Sequence, residues 1–381
     1  MGFKCGIVGL PNVGKSTLFN ALTNSSKAQA GNFPFCTIEP NVGAVPVLDE
    51  RLDKLFEISK SKKKIYTSIT FLDIAGLVKG ASKGEGLGNK FLSHIREVDA
   101  IVHLLRCFDS DNIQNVNKDV NPVRDLDIIE TEMKLADLES IGKRIEKKNL
   151  KKITNDEIDI LKTTEDYINN DKDLNELRNL FDLELINKSG LLSLKPKLYV
   201  CNVDEKSISS GNKYSENIQK TKKIKNIILI SAEIENQINQ LDKDEKKKFM
   251  ELLNIKKTGL NYLIEKGYKL LELETFFTSG PEESRAWTIK KNSTAPTAAG
   301  KIHSDFEKGF IRAETISYND FVNNNGWINC KNNGKMRLEG KDYTVKDGDI
   351  LNFRFNTWPD FFHTKVNKYT QDNKINNRSK T

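Results

Sequence analysis

Short apolar runs at Lys4–Val8, Thr67–Leu72, Ala100–Arg106, Lys197–Cys201 and Asn226–Ile230 punctuate the chain, and most lead into polar loops and helical stretches. Runs of this kind predict strands buried on both faces of a parallel sheet. Their alternation with helical stretches predicts an α/β fold with ligands at the strand C-termini. The alternation is interrupted over about residues 126–194, where Ile128, Ile129, Met133, Leu135, Leu138 and Ile141 recur at helical spacing among many charges. This predicts a helical, coiled-coil-like hairpin inserted into the sheet domain. The run Lys143–Lys152 is either a contact for a phosphate backbone or a solvated helix face.

After Glu274 the texture changes. Arg285–Lys290, a helical piece around Ala298–Glu307, Phe310–Ile316 and Tyr343–Phe355 follow one another, with a turn signal at Asp347-Gly348. These predict a first domain over 1–274 and a compact α+β module over 275–356. Residues 357–381 are polar and rich in Lys and Asn despite Trp358, Phe361 and Phe362, and are expected to be a disordered tail.

Composition adds bounds. The chain has 381 residues, 37% hydrophobic and 30% charged, enough for two or three packed domains. A net charge of +7 permits a polyanionic partner such as RNA without requiring one. Cys5, Cys36, Cys107, Cys201 and Cys330 are scattered, with no C-x-x-C pair, and read as reduced thiols of a cytoplasmic protein. No run reaches the roughly 18 to 20 apolar residues that cross a bilayer, and the N-terminus begins a strand, so no membrane association is expected. Met1-Gly2 resembles a myristoylation start, but Gly6 stands where Ser or Thr is needed.

The chemistry begins at Gly9-Leu10-Pro11-Asn12-Val13-Gly14-Lys15-Ser16-Thr17, directly after the first apolar run. The spacing G-x-x-x-x-G-K-[ST] turns backbone N–H groups inward around an anion at a helix N-terminus. Lys15 would neutralise β/γ-phosphate oxygens and Ser16 would hold Mg2+. Asp73-Ile74-Ala75-Gly76 follows the second run and suits an aspartate near the Mg2+ shell and a glycine N–H that senses the γ-phosphate. Thr37, in Asn32–Asn41, is the candidate second hydroxyl ligand. Lys15, Asp73 and Gly76 are thus the candidate catalytic residues, and Ser16 and Thr37 the candidate metal ligands. Leu77 occupies the position where Ras-like enzymes use Gln to orient water, and leucine cannot do so, which predicts slow intrinsic turnover. The glycine-rich segment Gly80–Asn89 reads as a mobile switch loop.

Base choice rests on Asn202-Val203-Asp204-Glu205. Guanine-specific enzymes of this class carry N-K-x-D here, whereas this chain has Val203 for the bracing Lys and Glu205, one methylene longer, for the Asp. A carboxylate set to read guanine does not suit adenine, and Asn202 with the Val203 backbone remains a good partner for adenine. ATP is favoured, and a degenerate guanine loop that retains GTP is the alternative. Ser231-Ala232-Glu233 resembles the loop that completes a base pocket.

Taken with R-A-W-T-I and A-G-K-I-H-S-D-F-E-K-G-F-I-R-A-E, these strings closely resemble the YchF family of Obg-like ATPases over about residues 1–356. The resemblance implies a P-loop NTPase with an Obg-type G domain, a helical insertion and a C-terminal TGS domain of β-grasp fold. It also implies preference for ATP, Mg2+ dependence and association with the ribosome, through its large subunit or the whole 70S particle. By motif match, Asn12, Val13, Gly14, Lys15, Ser16 and Thr17 would bind the phosphates, and Val203 would meet adenine through its backbone. Asn202, Glu205 and Ser231 complete the candidate base site. Asn12 stands where some relatives hold K+, which makes K+ stimulation a hypothesis. Two departures stand out. Gln114-Asn115 replace a family His considered for catalysis, and the family normally ends close to Asn356.

Three functions follow as expectations. The first is a slow, monomeric ATPase that binds ribosomes and tunes translation, with RNA contacts through the TGS-like and helical modules. The others are an Obg-type GTPase, and a nucleotide-gated adaptor whose hydrolysis is incidental.

Overall fold

The computed structural model of the chain describes residues 3–29, 41–74, 87–110, 119–146, 154–224 and 226–356. It divides into two compact units, Met1–Leu48 with Tyr66–Leu273, and Asp49–Ile65 with Glu274–Thr381.

The first unit is built on β1 (Lys4–Val8) and β2 (Val42–Pro46); after β3 (Lys63–Ile65), which belongs to the second unit, come β4 (Ser68–Asp73), β5 (Ala100–Arg106), β6 (Lys197–Asn202) and β7 (Ile227–Ile230). Their order in the sheet is β2-β4-β1-β5-β6-β7. All neighbours are parallel except β2, which runs antiparallel to β4 from Val42↔Leu72 to Pro46↔Ser68. Every residue of β5 is buried, as a central strand covered on both faces requires. Leu18 and Leu22 of helix Lys15–Gln29, Ile129 and Met133 of helix Pro122–Glu146, and Leu260 and Leu263 of helix Gly259–Leu270 complete one core with the strands.

The insertion leaves the sheet along helix Pro122–Glu146 and includes helix Asn155–Asn169, whose first turn is closed by a capping box between Thr154 and Glu157. It has its own apolar cluster of Ile141, Ile160, Leu161, Leu177, Ile186, Leu191 and Leu194. The returning chain is clamped by Asp137, which is 1% exposed and accepts the Leu192 and Ser193 N–H groups, each at 2.8 Å, and the Ser193 hydroxyl at 2.6 Å.

The second unit holds β3 and, further along the chain, β8 (Leu273–Ser279), β9 (Glu283–Lys290), β10 (Phe310–Ile316), β11 (Arg337–Glu339) and β12 (Ile350–Phe355), in the order β11-β10-β12-β8-β9-β3. Helix Ala295–Ile302 packs Ala295, Ala298 and Ala299 against Phe276, Ile289, Phe310 and Phe353. The boundaries drawn from the sequence place 49–65 within the first domain. In the structure that segment packs inside the second unit, because Leu52 and Leu55 of helix Glu50–Ser59 are fully buried there and β3 pairs in parallel with β9. No helix among the described residues is long and apolar enough to cross a membrane.

Candidate nucleotide-binding site

β1 ends at Val8 and helix Lys15–Gln29 begins six residues after Gly9, so Gly9–Gly14 must reverse the backbone at the sheet's C-terminal edge. Gly14 has φ +98°, and a Cβ there would lie 2.4 Å from Asn202 Nδ2, so neither the conformation nor the space admits a side chain. Asn12 has φ +64°, a conformation Asn tolerates better than most residues. Leu10 and Val13 anchor the loop in the core, while Asn12, Ser16 and Thr17 are exposed.

Lys15 is 9% exposed and its Nζ donates to the Leu10 carbonyl at 2.9 Å. Burial lowers its pKa, and the charge of Asp73 acts against that shift. The Ser16 hydroxyl donates to Asp73 Oδ2 at 3.1 Å, whereas Asp73 Oδ1 is buried with no partner. Burial raises the Asp73 pKa, opposed by the Ser16 hydrogen bond and the Lys15 charge. A buried carboxylate oxygen without a donor, beside a hydroxyl at a helix N-terminus, fits a nearby cation. Among the described residues no group of three or more His, Cys, Asp or Glu could cage a metal. Such a set suits Mg2+ held largely by substrate phosphates and water.

Asp73 is placed by the β2–β4 pairing, and its own N–H donates to the Asn41 carbonyl at 2.9 Å. Asn41 is one group that the sequence left unassigned.

At the ends of β6 and β7 the candidate base loops are tied to the Gly9–Gly14 loop by one side chain. Asn202, 6% exposed, donates through Nδ2 to the Val13 carbonyl at 2.9 Å and accepts the Ala232 N–H on Oδ1 at 3.0 Å. The sequence offers Asn202 to adenine; in the structure both polar ends of its amide go to protein partners. The Val203 N–H donates to the Ile230 carbonyl at 2.8 Å, so a base contact through this backbone would use the Val203 carbonyl. Asp204 accepts the Ser207 N–H at 3.1 Å and the Ser207 hydroxyl at 2.8 Å, which commits its carboxylate to capping the turn Glu205–Ser207. Glu205 is exposed, and Ser231 is buried at the N-cap of helix Ala232–Ile238, where it accepts the Ile234 N–H at 3.5 Å.

Two buried ionisable groups that the sequence did not single out lie in the same unit. Glu235, 4% exposed, accepts the Gly259 N–H at 2.5 Å and so joins the helix that follows the base loop to helix Gly259–Leu270. Burial pushes its pKa up to about 7 despite the Gly259 and Leu260 amides. His103 of β5 is fully buried with neither ring nitrogen hydrogen-bonded, and burial pulls its pKa down to about 4. Thr37, Gly76, Leu77, the Gly80–Gly86 part of the switch segment, Gln114-Asn115 and residues 357–381 lie outside the described residues.

A family model described as a 50S ribosome-binding GTPase matches residues 4–135, and the model for the YchF GTPase C-terminal region, described as a protein of unknown function, matches residues 273–356. The chain is 51% identical to the ribosome-binding ATPase YchF of Escherichia coli O157:H7, over 93% of this chain and 100% of that protein. It is 49% identical, with the same coverage, to the protein of that name from Bacillus subtilis strain 168. Among solved structures, the Schizosaccharomyces pombe YchF GTPase superposes with a TM-score of 0.80 at 38% identity, over 93% of this chain and 98% of that one.

Proposed function

The chain belongs to the YchF family, and on that premise we propose that it is a Mg2+-dependent, slowly turning ATPase of the P-loop class that binds the ribosome and regulates translation. The observation that carries the catalytic part is the Lys15–Ser16–Asp73 group at the mouth of the phosphate loop, with its one unpartnered carboxylate oxygen.

With nucleotide in the loop, backbone N–H groups at the helix N-terminus face the phosphates, and the Lys15 ammonium exchanges the Leu10 carbonyl for β/γ-phosphate oxygens. The ammonium is already stripped of most of its water, so little reorganisation precedes that contact. Ser16 and Thr37 are the hydroxyls that would hold Mg2+, which when bound neutralises phosphate charge. Asp73 would accept hydrogen bonds from that shell, and the Gly76 N–H would sense the γ-phosphate. Leu77 offers no group to orient water, so the backbone, another side chain or the ribosome must do so, and turnover without a partner is slow.

For the base, Val203 stands where the bracing Lys would be, Asp204 is committed to Ser207 and Glu205 is exposed, so no carboxylate is fixed to read guanine, which supports adenine. The name of the S. pombe relative favours a second reading, GTP hydrolysis, and competition between ATP and GTP for one labelled nucleotide separates the two. K+ at Asn12 would stimulate turnover, and equal rates in K+ and Na+ buffers would exclude it. Exposed Lys290, Lys291, Lys301, Lys308 and Arg312 in the TGS-like unit are candidate RNA contacts. The cytoplasm is the expected compartment, and the monomer the expected state.

Co-sedimentation with ribosomes, in ATP and at rising salt, tests the partner. Salt-sensitive binding that Lys15→Ala weakens supports a nucleotide-switched factor. Full binding by Lys15→Ala, with nucleotide lost, makes the protein a constitutive scaffold instead.

A further inference from the structure

Two strands of the first unit continue into the second unit through one connecting residue each. The β2–β4 ribbon begins beside the phosphate loop, where the Asp73 N–H meets the Asn41 carbonyl and the Asp73 carboxylate holds Ser16. Five paired positions carry it away, about 17 Å at roughly 3.4 Å per residue. Its last rung is the Val47 N–H to the Thr67 carbonyl at 2.8 Å. On the outgoing side a single residue, Leu48, separates that rung from Asp49, the N-cap of helix Glu50–Ser59 in the second unit. On the returning side a single residue, Tyr66, separates it from Ile65, which pairs with Arg285 in β3–β9.

The segment between these crossings is locked within its own unit. The Arg51 guanidinium bridges Asp49 at 2.8 Å and Asp347 at 2.6 Å, and Asp347 also accepts the Thr275 N–H at 2.8 Å. The Ser61 hydroxyl donates to the Gly280 carbonyl at 2.6 Å and lies 2.8 Å from the Ser284 hydroxyl, with Ser59 and Ser279 continuing the chain of hydroxyls. One residue of linker on each strand makes the covalent path from Asp73 to the 49–65 segment short.

We propose that the β2–β4 ribbon is a built-in transmission that couples nucleotide at the Lys15–Asp73 site to the 49–65 segment of the second unit. The coupling is reciprocal, so whatever binds the second unit with a preference for one nucleotide state changes nucleotide affinity by the same factor. The inference rests on the phosphate loop taking a nucleoside triphosphate, and the direct titration below separates failure of that premise from failure of the coupling.

The test is hydrogen exchange on the full chain, with and without non-hydrolysable ATP and GTP analogues in Mg2+, each titrated directly for binding. Nucleotide is expected to change exchange at Lys63–Ile65 and in β9 by roughly fivefold or more. A chain with short Gly/Ser insertions after Leu48 and after Tyr66 is expected to bind nucleotide and lose that response. Arg51→Gln, which loosens the lock without touching either linker, is expected to reduce it. Nucleotide binding with no exchange response in the native chain overturns the coupling, as does an undiminished response in the slackened chain. If neither analogue binds, the nucleotide-site premise falls with it.

Discussion

Replacing Asn202 with Ala tests whether the nucleotide site is organised as a braced pair of loops. The substitution removes one donor and one acceptor, and leaves the Val13 carbonyl and the Ala232 N–H without partners in a nearly closed environment. Each orphaned group costs about 1–3 kcal/mol, so the two together cost about 2–6 kcal/mol of local order. If ligand binding must restore that order, the lower figure alone weakens affinity about thirtyfold. Titration with ATP, GTP and inorganic triphosphate reads the effect, because triphosphate occupies the cradle and carries no base. All three are expected to weaken by the same factor. Asn202→Asp, which keeps an acceptor for Ala232 but sets a carboxylate oxygen against the Val13 carbonyl, is expected to behave like Asn202→Ala. Unchanged triphosphate affinity with weakened ATP would refute the brace and return Asn202 to a base contact.

Three further outcomes follow from buried ionisable groups. Asp137→Ala leaves the Leu192 and Ser193 amides unpaired and is expected to cost about 2–5 kcal/mol in chemical denaturation, with nucleotide affinity unchanged. Glu235 has a folded pKa of about 7 against an ordinary 4.5, so it favours the fold fully below pH 4.5 and that contribution, about 3 kcal/mol, is lost as pH rises through 7. Glu235→Gln, which retains an acceptor for Gly259, is expected to flatten the stability profile between pH 5 and 8; an unchanged profile would contradict the assignment. His103 shifts the other way, from an ordinary 6.5 to about 4, so its contribution of about 3 kcal/mol is present above pH 6.5 and lost as pH falls through 4. His103→Phe is expected to raise resistance to acid unfolding without loss at neutral pH, since neither ring nitrogen has a partner to lose.

The parts legible in the sequence are those set by local pattern. Ala100–Arg106 reads as a buried strand because most of its residues are apolar, and all of them prove buried; the phosphate loop reads as such because its spacing is its mechanism. β2 is less visible: Val42-Gly43-Ala44-Val45-Pro46 carries a Gly and a Pro, which weaken a strand signal but are tolerated at a sheet edge. The helical piece near Ala298–Glu307 is two helices, Ala295–Ile302 and Ser304–Lys308, because His303 takes an extended conformation, φ −160° and ψ 142°, and caps the second. What local pattern cannot carry is distance along the chain. Ser61 meets Ser284 223 residues away, and Asn202 meets Val13 189 residues away. Hence local pattern could not show that 49–65 packs with Glu274 onward, or that Asn202 ties two loops together.

The choice of purine is the central claim, and the most direct test is titration of the purified protein with ATP and GTP analogues, with and without ribosomes. ATP is predicted to bind at least about tenfold tighter, a difference of about 1.4 kcal/mol. Tighter binding of GTP would mean that Asn202–Glu205 reads guanine despite Val203 and Glu205, and would contradict the ATPase account.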